Sequence, residues 1–308
     1  MKVEQTFPIK DDGCHLVAVA RPSYAWGMKI CPTVPDIRAA VAGFRKAGES
    51  VGLVTTMGAL HEGHLTLMRR AREHHDRVVA TIFVNPTQFG EVADLAHYPS
   101  DDARDIDLLT AEGVDALFLP TVETIYPPGD ETIVETTHLA NVLHGKVRPG
   151  HFRGVATVVA RLFNICLPDA AYFGEKDYQQ LQVIRRMVRD LHFPLEIVGV
   201  PTVREPDGLA MSSRNVRLTP EDRAAAVVLN QSLEQAEALV AAGTTVEALG
   251  DAIRACIKSE PRAILRAVDI VAAESLTPVS GPISEKIAIM LSAEFGGVLL
   301  IDQREITP

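Results

Sequence analysis

Hydrophobic positions follow two alternating rhythms over the first two thirds of the chain. Short, nearly continuous apolar runs occur at 51–56 (VGLVTT), 77–84 (RVVATIFV), 115–120 (DALFLP), 170–174 (AAYFG) and 195–203 (LEIVGVPTV). Runs of this length, rich in β-branched residues, predict strands buried on both faces. Between them apolar residues recur at helical spacing. Pro35–Lys46 places Ile37, Val41 and Phe44 on one face, and His64–His75 places Leu65, Met68 and Ala71 or Arg72. Asp101–Glu112 and Val155–Leu167 read as further helices. Asp177 is expected to cap another, with Leu181, Ile184, Met187 or Val188, and Leu191 on its inner face. Such alternation predicts a parallel, doubly wound α/β sheet that binds ligands at the C-terminal ends of its strands. Residues 1 to 28 lack either rhythm and are read as irregular and loosely ordered.

The pattern changes after Arg204. The turn signal EPDG (205–208) is followed by two helical stretches, 220–241 and 245–258, and then by strand-like runs at 267–272, 286–292 and 297–302. Helices followed by grouped strands predict a smaller α+β domain, with the boundary near residue 203.

Composition narrows the function. Of 308 residues, 47% are hydrophobic, enough for a sizeable core, and the net charge of −10 argues against a general nucleic-acid binder. An acidic protein that handles anions must concentrate Lys, Arg or His locally. Cys14, Cys31, Cys166 and Cys256 are widely spaced without a CxxC pair, which fits free thiols in a reducing compartment. Glu4, Asp11 and Asp12 stand where a signal peptide needs an apolar core, and no apolar run approaches the ~18 residues of a membrane span. A soluble cytoplasmic protein is expected.

The candidate chemistry clusters at strand ends. In TMGALHEGH, His61 and His64 follow a buried strand, with Gly58 and Gly63 beside them. A zinc-protease helix spaces its histidines as HExxH; here they are three apart with no evident third ligand. A strand-to-helix junction instead offers unpaired N–H groups and a partial positive charge to phosphate. Two histidines there can donate hydrogen bonds to phosphate oxygens and stabilise a pentavalent phosphorus. FVNPTQF (83–89) offers Asn85 and Gln88 to a polar substrate, or is a turn capped by Asn85. RPGHFRGV (148–155) gathers Arg148, His151 and Arg153 before a helix, as an anion site or a solvated basic loop. YFGEKDYQQL (172–181) places Gly174 and Lys176 in a turn, with Asp177 and Gln180 at the helix start. DGLAMSSRN (207–215) puts Met211, Ser212, Ser213 and Arg214 in a loop suited to polyphosphate.

The HxGH signature resembles the nucleotidyltransferase superfamily, which includes the class I aminoacyl-tRNA synthetases, and the serine loop is similar to their KMSKS-type loop. Together with VGVPTVRE, these stretches resemble, in order over residues 28 to 220, the pantoate–β-alanine ligase family, the pantothenate synthetases. The resemblance implies a Rossmann-like domain at 28–202 that binds ATP and pantoate, an α+β lid at 203–308, and an extension at 1–27. It also implies a two-step reaction. Pantoate is adenylated by ATP with loss of pyrophosphate; β-alanine then displaces AMP to give pantothenate. Mg2+ is held through the ATP phosphates without an assigned protein ligand, and the enzyme is a homodimer.

By motif position, His61, His64, Lys176, Ser212, Ser213 and Arg214 carry catalysis. Met57, Gly58, Gly174, Asp177 and Met211 join His64, Lys176 and the loop 212–214 in holding ATP. Met57, Asn85, Gln88 and Gln180 hold pantoate, and Arg148 and His151 are further candidates. Three features depart from the family pattern: the residues before Met28, Ser100 where arginine is usual, and Gln303 where asparagine is usual. Two other readings share parts of the evidence. A nucleotidyltransferase making a dinucleotide-like product would share HxGH without FVNPTQF and FGEKDYQQL together. A non-catalytic nucleotide-binding module would not be expected to keep His61, His64, Lys176 and Arg214 intact.

Overall fold

The computed structural model describes residues 24, 25, 27–89, 98 and 100–308. The expectation for the chain before Tyr24 therefore lies outside the described residues. Seven strands form the main sheet: β1 (Tyr24–Ala25), β2 (Met28–Cys31), β3 (Val51–Thr56), β4 (Arg77–Ile82), β5 (Ala116–Phe118), β6 (Ala170–Gly174) and β7 (Glu196–Val200). Their order is β1-β2-β5-β4-β3-β6-β7; β1 is antiparallel to β2 and the other pairings are parallel. The sheet is thus doubly wound and Rossmann-like, as the alternation predicts. Strand β2 escaped the sequence reading because four residues, MKIC, are too few to show a period.

Helices cover both faces. On one side lie α1 (Val34–Lys46) and two later helices described below; on the other lie α2 (Glu62–His74) and α3 (Asp102–Ala111). Helix α1 starts at a capping box, Thr33 with Asp36, and buries Ile37, Val41 and Phe44. Ala71, not Arg72, is the buried position of α2. Short helices α4 (Val122–Ile125) and α5 (His144–Val147) precede α6 (His151–Cys166), which begins a turn earlier than its apolar run suggests. Next comes α7 (Tyr178–Asp190), burying Leu181, Ile184 and Met187. Leu191 lies past its end and is 52% exposed, because the helix stops before Leu191 can turn inward. Alternate strand residues serve the two faces: Val79 packs with α1 and α6, whereas Val78 and Ala80 pack with α2.

The C-terminal part is a small antiparallel three-stranded sheet domain, ordered β10-β9-β8, from β8 (Ile264–Ala272), β9 (Ile287–Phe295) and β10 (Val298–Ile306). The expected helix 220–241 divides at Ala226–Val227 into α8 (Pro220–Ala225) and α9 (Val228–Ala241), and α10 (Val246–Lys258) follows. Strand β9 shows why this sheet is apolar on both sides. Ile287, Ile289 and Leu291 pack with α9 and α10, while Ala288 and Met290 join the first core.

Outward from β3, strand order runs through β4 and β5 on one side and β6 and β7 on the other. The topological switch point is therefore the crevice between the C-terminal ends of β3 and β6, where doubly wound sheets bind ligands.

Candidate active site

The chain leaves β3 through a tight turn in which Gly58 and Ala59 both hold positive φ, 84° and 51°. His61 then serves as the N-cap of α2. Its Nδ1 accepts from the Gly63 N–H at 3.1 Å, and His64 Nδ1 accepts from the His61 N–H at 3.3 Å. Two imidazoles thus play the reciprocal capping roles usually taken by Ser and Glu. The intervening glycine is a steric requirement: a Cβ on Gly63 would stand 2.9 Å from His61 Cε1.

This capping fixes the tautomers. Backbone amides only donate, so both Nδ1 atoms are unprotonated and each neutral ring carries its proton on Nε2. Burial, with Lys176 and Arg104 adding to it, pushes His61 down to about 4. Burial, His61 and Lys176 push His64 down to about 3. The rings lie 4.1 Å apart between centroids. At neutral pH the pair is two uncharged N–H donors, so positive charge in the crevice must come from elsewhere.

Lys176 and Arg214 supply it. Lys176 follows β6 in a 3-10 turn, Glu175–Asp177, that runs straight into α7. Burial lowers the Lys176 ammonium, Asp177 and Asp302 oppose that, and Arg214 reinforces it. Asp177 occupies the N-cap position of α7 but makes no side-chain capping bond, contrary to expectation. An N-cap needs extended backbone, whereas Asp177 ends a 3-10 turn, so its exposed carboxylate is left to the crevice. A Cβ on Gly174 would meet nothing within 4 Å, so the space above β6 is open.

The serine loop comes from beyond β7. Met211 N–H donates to Val203 O at 2.9 Å, and Arg204 anchors the loop's base on buried Asp302 at 2.7 and 2.9 Å. Ser212 caps a 3-10 turn, Ser213–Arg217, by accepting from the Arg214 N–H. Met211 Cβ would lie 4.0 Å from a Cβ on Gly63, so the loop reaches the histidine turn. The Tyr98 phenol is hydrogen-bonded to Ser213, with Arg214 near it. Lys176, Ser212, Asn215 and Asp302 line one small cavity.

A second group of side chains surrounds Gln88. Asn85 is 1% exposed and fully engaged. Its Oδ1 accepts from Tyr126 Oη at 2.8 Å and Thr87 Oγ1 at 2.9 Å. Its Nδ2 donates to Gln88 Oε1 at 3.0 Å and Gly154 O at 3.2 Å. Gln88 is thereby oriented with Nε2 toward Met57 Sδ, 3.0 Å away. His151 Nδ1 donates to Gln88 O at 2.8 Å, and Arg148 donates to its Nε2 at 3.4 Å. Burial and Arg148 lower His151 to about 4, with Asp177 and Arg214 also in range. Met57, just past the end of β3 and next to Gly58, ties this group to the histidine turn. Gln180, half-buried on the first turn of α7, sits beside the Lys176 turn. Arg153 is exposed on the surface of α6, with its guanidinium beside Gly150: a Cβ there would lie 3.4 Å from Nη2.

Tyr126, Gly154, Tyr98, Arg104, Asp105 and Asp302 shape the site yet went unnoticed as such in the sequence. Gly154 lies in RPGHFRGV, Tyr98 two residues before Ser100 and Asp302 next to Gln303; Tyr126, Arg104 and Asp105 are brought in by folding alone. Among the described residues no three His, Cys, Asp or Glu side chains are grouped to hold a metal ion. Cys31 and Cys166 are buried free thiols, raised by burial to about 11 and about 12. Among the described residues no helix is long and apolar enough to cross a membrane.

Neutral N–H donors at a helix start, a lysine and an arginine converge on the switch point of a doubly wound sheet. A doubly wound α/β fold with such donors at its switch point is of the class suited to a phosphorylated ligand. The Pantoate-beta-alanine ligase family model matches residues 29–305, and the chain belongs to that family. It is 52% identical over 282 residues to the pantothenate synthetase of Sinorhizobium medicae (strain WSM419), covering 91% of this chain and 97% of the relative. The Bartonella henselae pantothenate synthetase is 49% identical, over 90% of this chain and 98% of its own. A crystal structure of the pantothenate synthetase from Thermus thermophilus superposes with TM-score 0.85 at 48% identity, covering 91% and 99% of the two chains. The Francisella tularensis ligase, solved with β-γ ATP and β-alanine, superposes with TM-score 0.74 at 35% identity, covering 90% and 97%. Family membership makes the chain a ligase of pantothenate formation.

Proposed function

We propose that the chain condenses pantoate with β-alanine using ATP, through pantoyl adenylate. A pantoate carboxylate oxygen attacks the α-phosphorus, the bond to the β-phosphate oxygen breaks, and pyrophosphate leaves. The β-alanine amine then attacks the acyl carbon, AMP leaves with its oxygen, and the amine proton passes to solvent. The observation that carries this reading is the imidazole pair. Two neutral rings with Nε2–H fixed by backbone capping suit an increase of charge on a phosphate, and neither ring is free to act as a base.

His61 and His64 then donate to phosphate oxygens of the transition state. Lys176 and Arg214 neutralise the polyphosphate, with the Ser212 and Ser213 hydroxyls as further donors. Gly58, Gly174, Asp177 and Met211 border the nucleotide. Gln88 and Gln180 hold pantoate along Met57, and Asn85 acts by orienting Gln88. Mg2+ fits as a cation carried by the phosphates, since the described residues offer it no cluster of ligands; when bound it supplies charge neutralisation. The division at 28–202 and 203–308, with the second part as lid, is supported by the serine loop's reach to the histidine turn. A homodimer and a cytoplasmic location are parts of the same proposal, carried by the family.

Purified protein mixed with ATP, Mg2+ and pantoate should release AMP only when β-alanine is added. Pantoate alone should support exchange of labelled pyrophosphate into ATP. Absence of AMP with both substrates present would overturn the assignment.

A further inference from the structure

We propose that Arg104 and Asp105, consecutive residues in the first turn of α3, are positioning residues that clamp the Leu60 backbone and so aim the histidine pair. Asp105 is 1% exposed, and its Oδ1 accepts from the Leu60 N–H at 2.9 Å. Arg104 Nη1 donates to Leu60 O at 3.0 Å and lies 3.6 Å from Asp105 Oδ1. The N–H and C=O of the residue immediately before His61 are therefore both held by one element on another part of the chain. The clamped turn needs holding, because Ala59 sits at φ 51°, where an L side chain is strained. Gly58 completes the fit: a Cβ there would come within 3.1 Å of Asp105 Oδ2.

The carboxylate is a poor choice if stability alone were served. Its Oδ2 is buried without a hydrogen-bond partner among the described residues. A buried, half-satisfied carboxylate costs free energy, so its presence calls for a role in position. The clamp acts through the turn: if Leu60 shifts, the N-cap at His61 shifts with it, and both Nε2–H directions change. This inference rests on the adenylation reading for its kinetic consequence, but not for its geometric one.

Four variants test it: Asp105→Ala, Asp105→Asn, Arg104→Ala and Arg104→Lys. Pyrophosphate exchange with pantoate gives the adenylation rate, and nitrogen-15 NMR of the histidines gives the tautomers independently of turnover. Asp105→Ala should lower kcat on the order of 100-fold, the effect of a displacement of about 1 Å at the reacting groups, with KM for ATP changed far less. The His61 and His64 signals should lose their single Nε2–H pattern. Asp105→Asn, which keeps an acceptor for Leu60, should retain both properties. Arg104→Ala, at a largely exposed position that leaves the fold intact, should show a smaller loss of kcat that Arg104→Lys recovers. If Asp105→Ala and Arg104→Ala lower only the melting temperature, keeping kcat and the tautomer pattern, the clamp has no positioning role. Wild-type protein without exchange activity would refute the adenylation reading instead, and the NMR comparison would still decide the clamp.

Discussion

Gly154→Ala sets two well-understood effects against each other. Gly154 lies in α6 with ordinary helical backbone, so helix propensity alone predicts stabilisation by about 1 kcal/mol. The packing predicts the opposite. An added Cβ would stand 2.4 Å from Thr87 O, 2.7 Å from Thr87 C and 2.8 Å from Gln88 N. These are backbone atoms with no rotamer to escape into. Reaching ordinary contact requires the helix and the 86–88 turn to separate by about 1 Å. Overpacking of this kind costs about 1–3 kcal/mol; with three backbone atoms under 3.0 Å the upper half of that range applies, so the net change is a loss of about 1–2 kcal/mol. That separation also stretches the Asn85 Nδ2 bond to Gly154 O, now 3.2 Å, and moves the Gln88 backbone that His151 holds. Thermal unfolding should show a lowered midpoint by a few degrees, on the order of 2–4 °C per kcal/mol. Steady-state kinetics should show KM for pantoate raised roughly 10- to 100-fold, as expected for a misplaced substrate-positioning group. An unchanged or higher melting temperature with unchanged KM would refute the packing argument.

His64→Ala and Lys176→Ala should each slow pyrophosphate exchange by about 10²–10³-fold, the usual cost of one transition-state donor; unchanged exchange would remove them from the chemistry. His64→Ala should also lose up to about 1 kcal/mol of stability in urea, since His64 caps α2. The imidazoles of His61, His64 and His151 have folded pKa values lowered to about 4, 3 and 4. Below the unfolded value near 6.5 the unfolded chain binds more protons, so stability should fall as pH drops from about 6.5 toward 3. A His64→Gln variant should show a shallower fall, and an identical slope would contradict the burial argument. For the same reason kcat/KM for ATP should show no ionisation near pH 6.5 that His64→Gln abolishes. Tyr126→Phe removes one donor to Asn85 Oδ1 while Thr87 remains, so KM for pantoate should rise about 5-fold, roughly one hydrogen bond; an effect on KM for ATP alone would place Tyr126 elsewhere.

Strands and helices were legible where burial imposes a period. β3, β4 and β6 are covered on both faces and read as apolar runs; α1, α2 and α7 bury one stripe and read as amphipathic. Elements set by local hydrogen bonds were less legible. The Thr33 box moved the start of α1 by a residue, and β2 was too short to detect. Asp177 had the composition of a cap without the backbone for it.

The sequence by itself determined the doubly wound sheet, the clustering of motifs at strand ends and the family, because hydrophobic period and contiguous motifs are local properties of the chain. Tertiary structure alone decided what those motifs are able to do. The histidines became neutral Nε2–H donors only when each Nδ1 met a backbone amide. Gln88 acquired a direction only when Asn85 was saturated by Tyr126, Thr87 and Gly154. The HEGH turn acquired Asp105 and Arg104 from 44 or 45 residues away. Tautomer, orientation and burial depend on contacts between segments distant in sequence, and no local pattern records them.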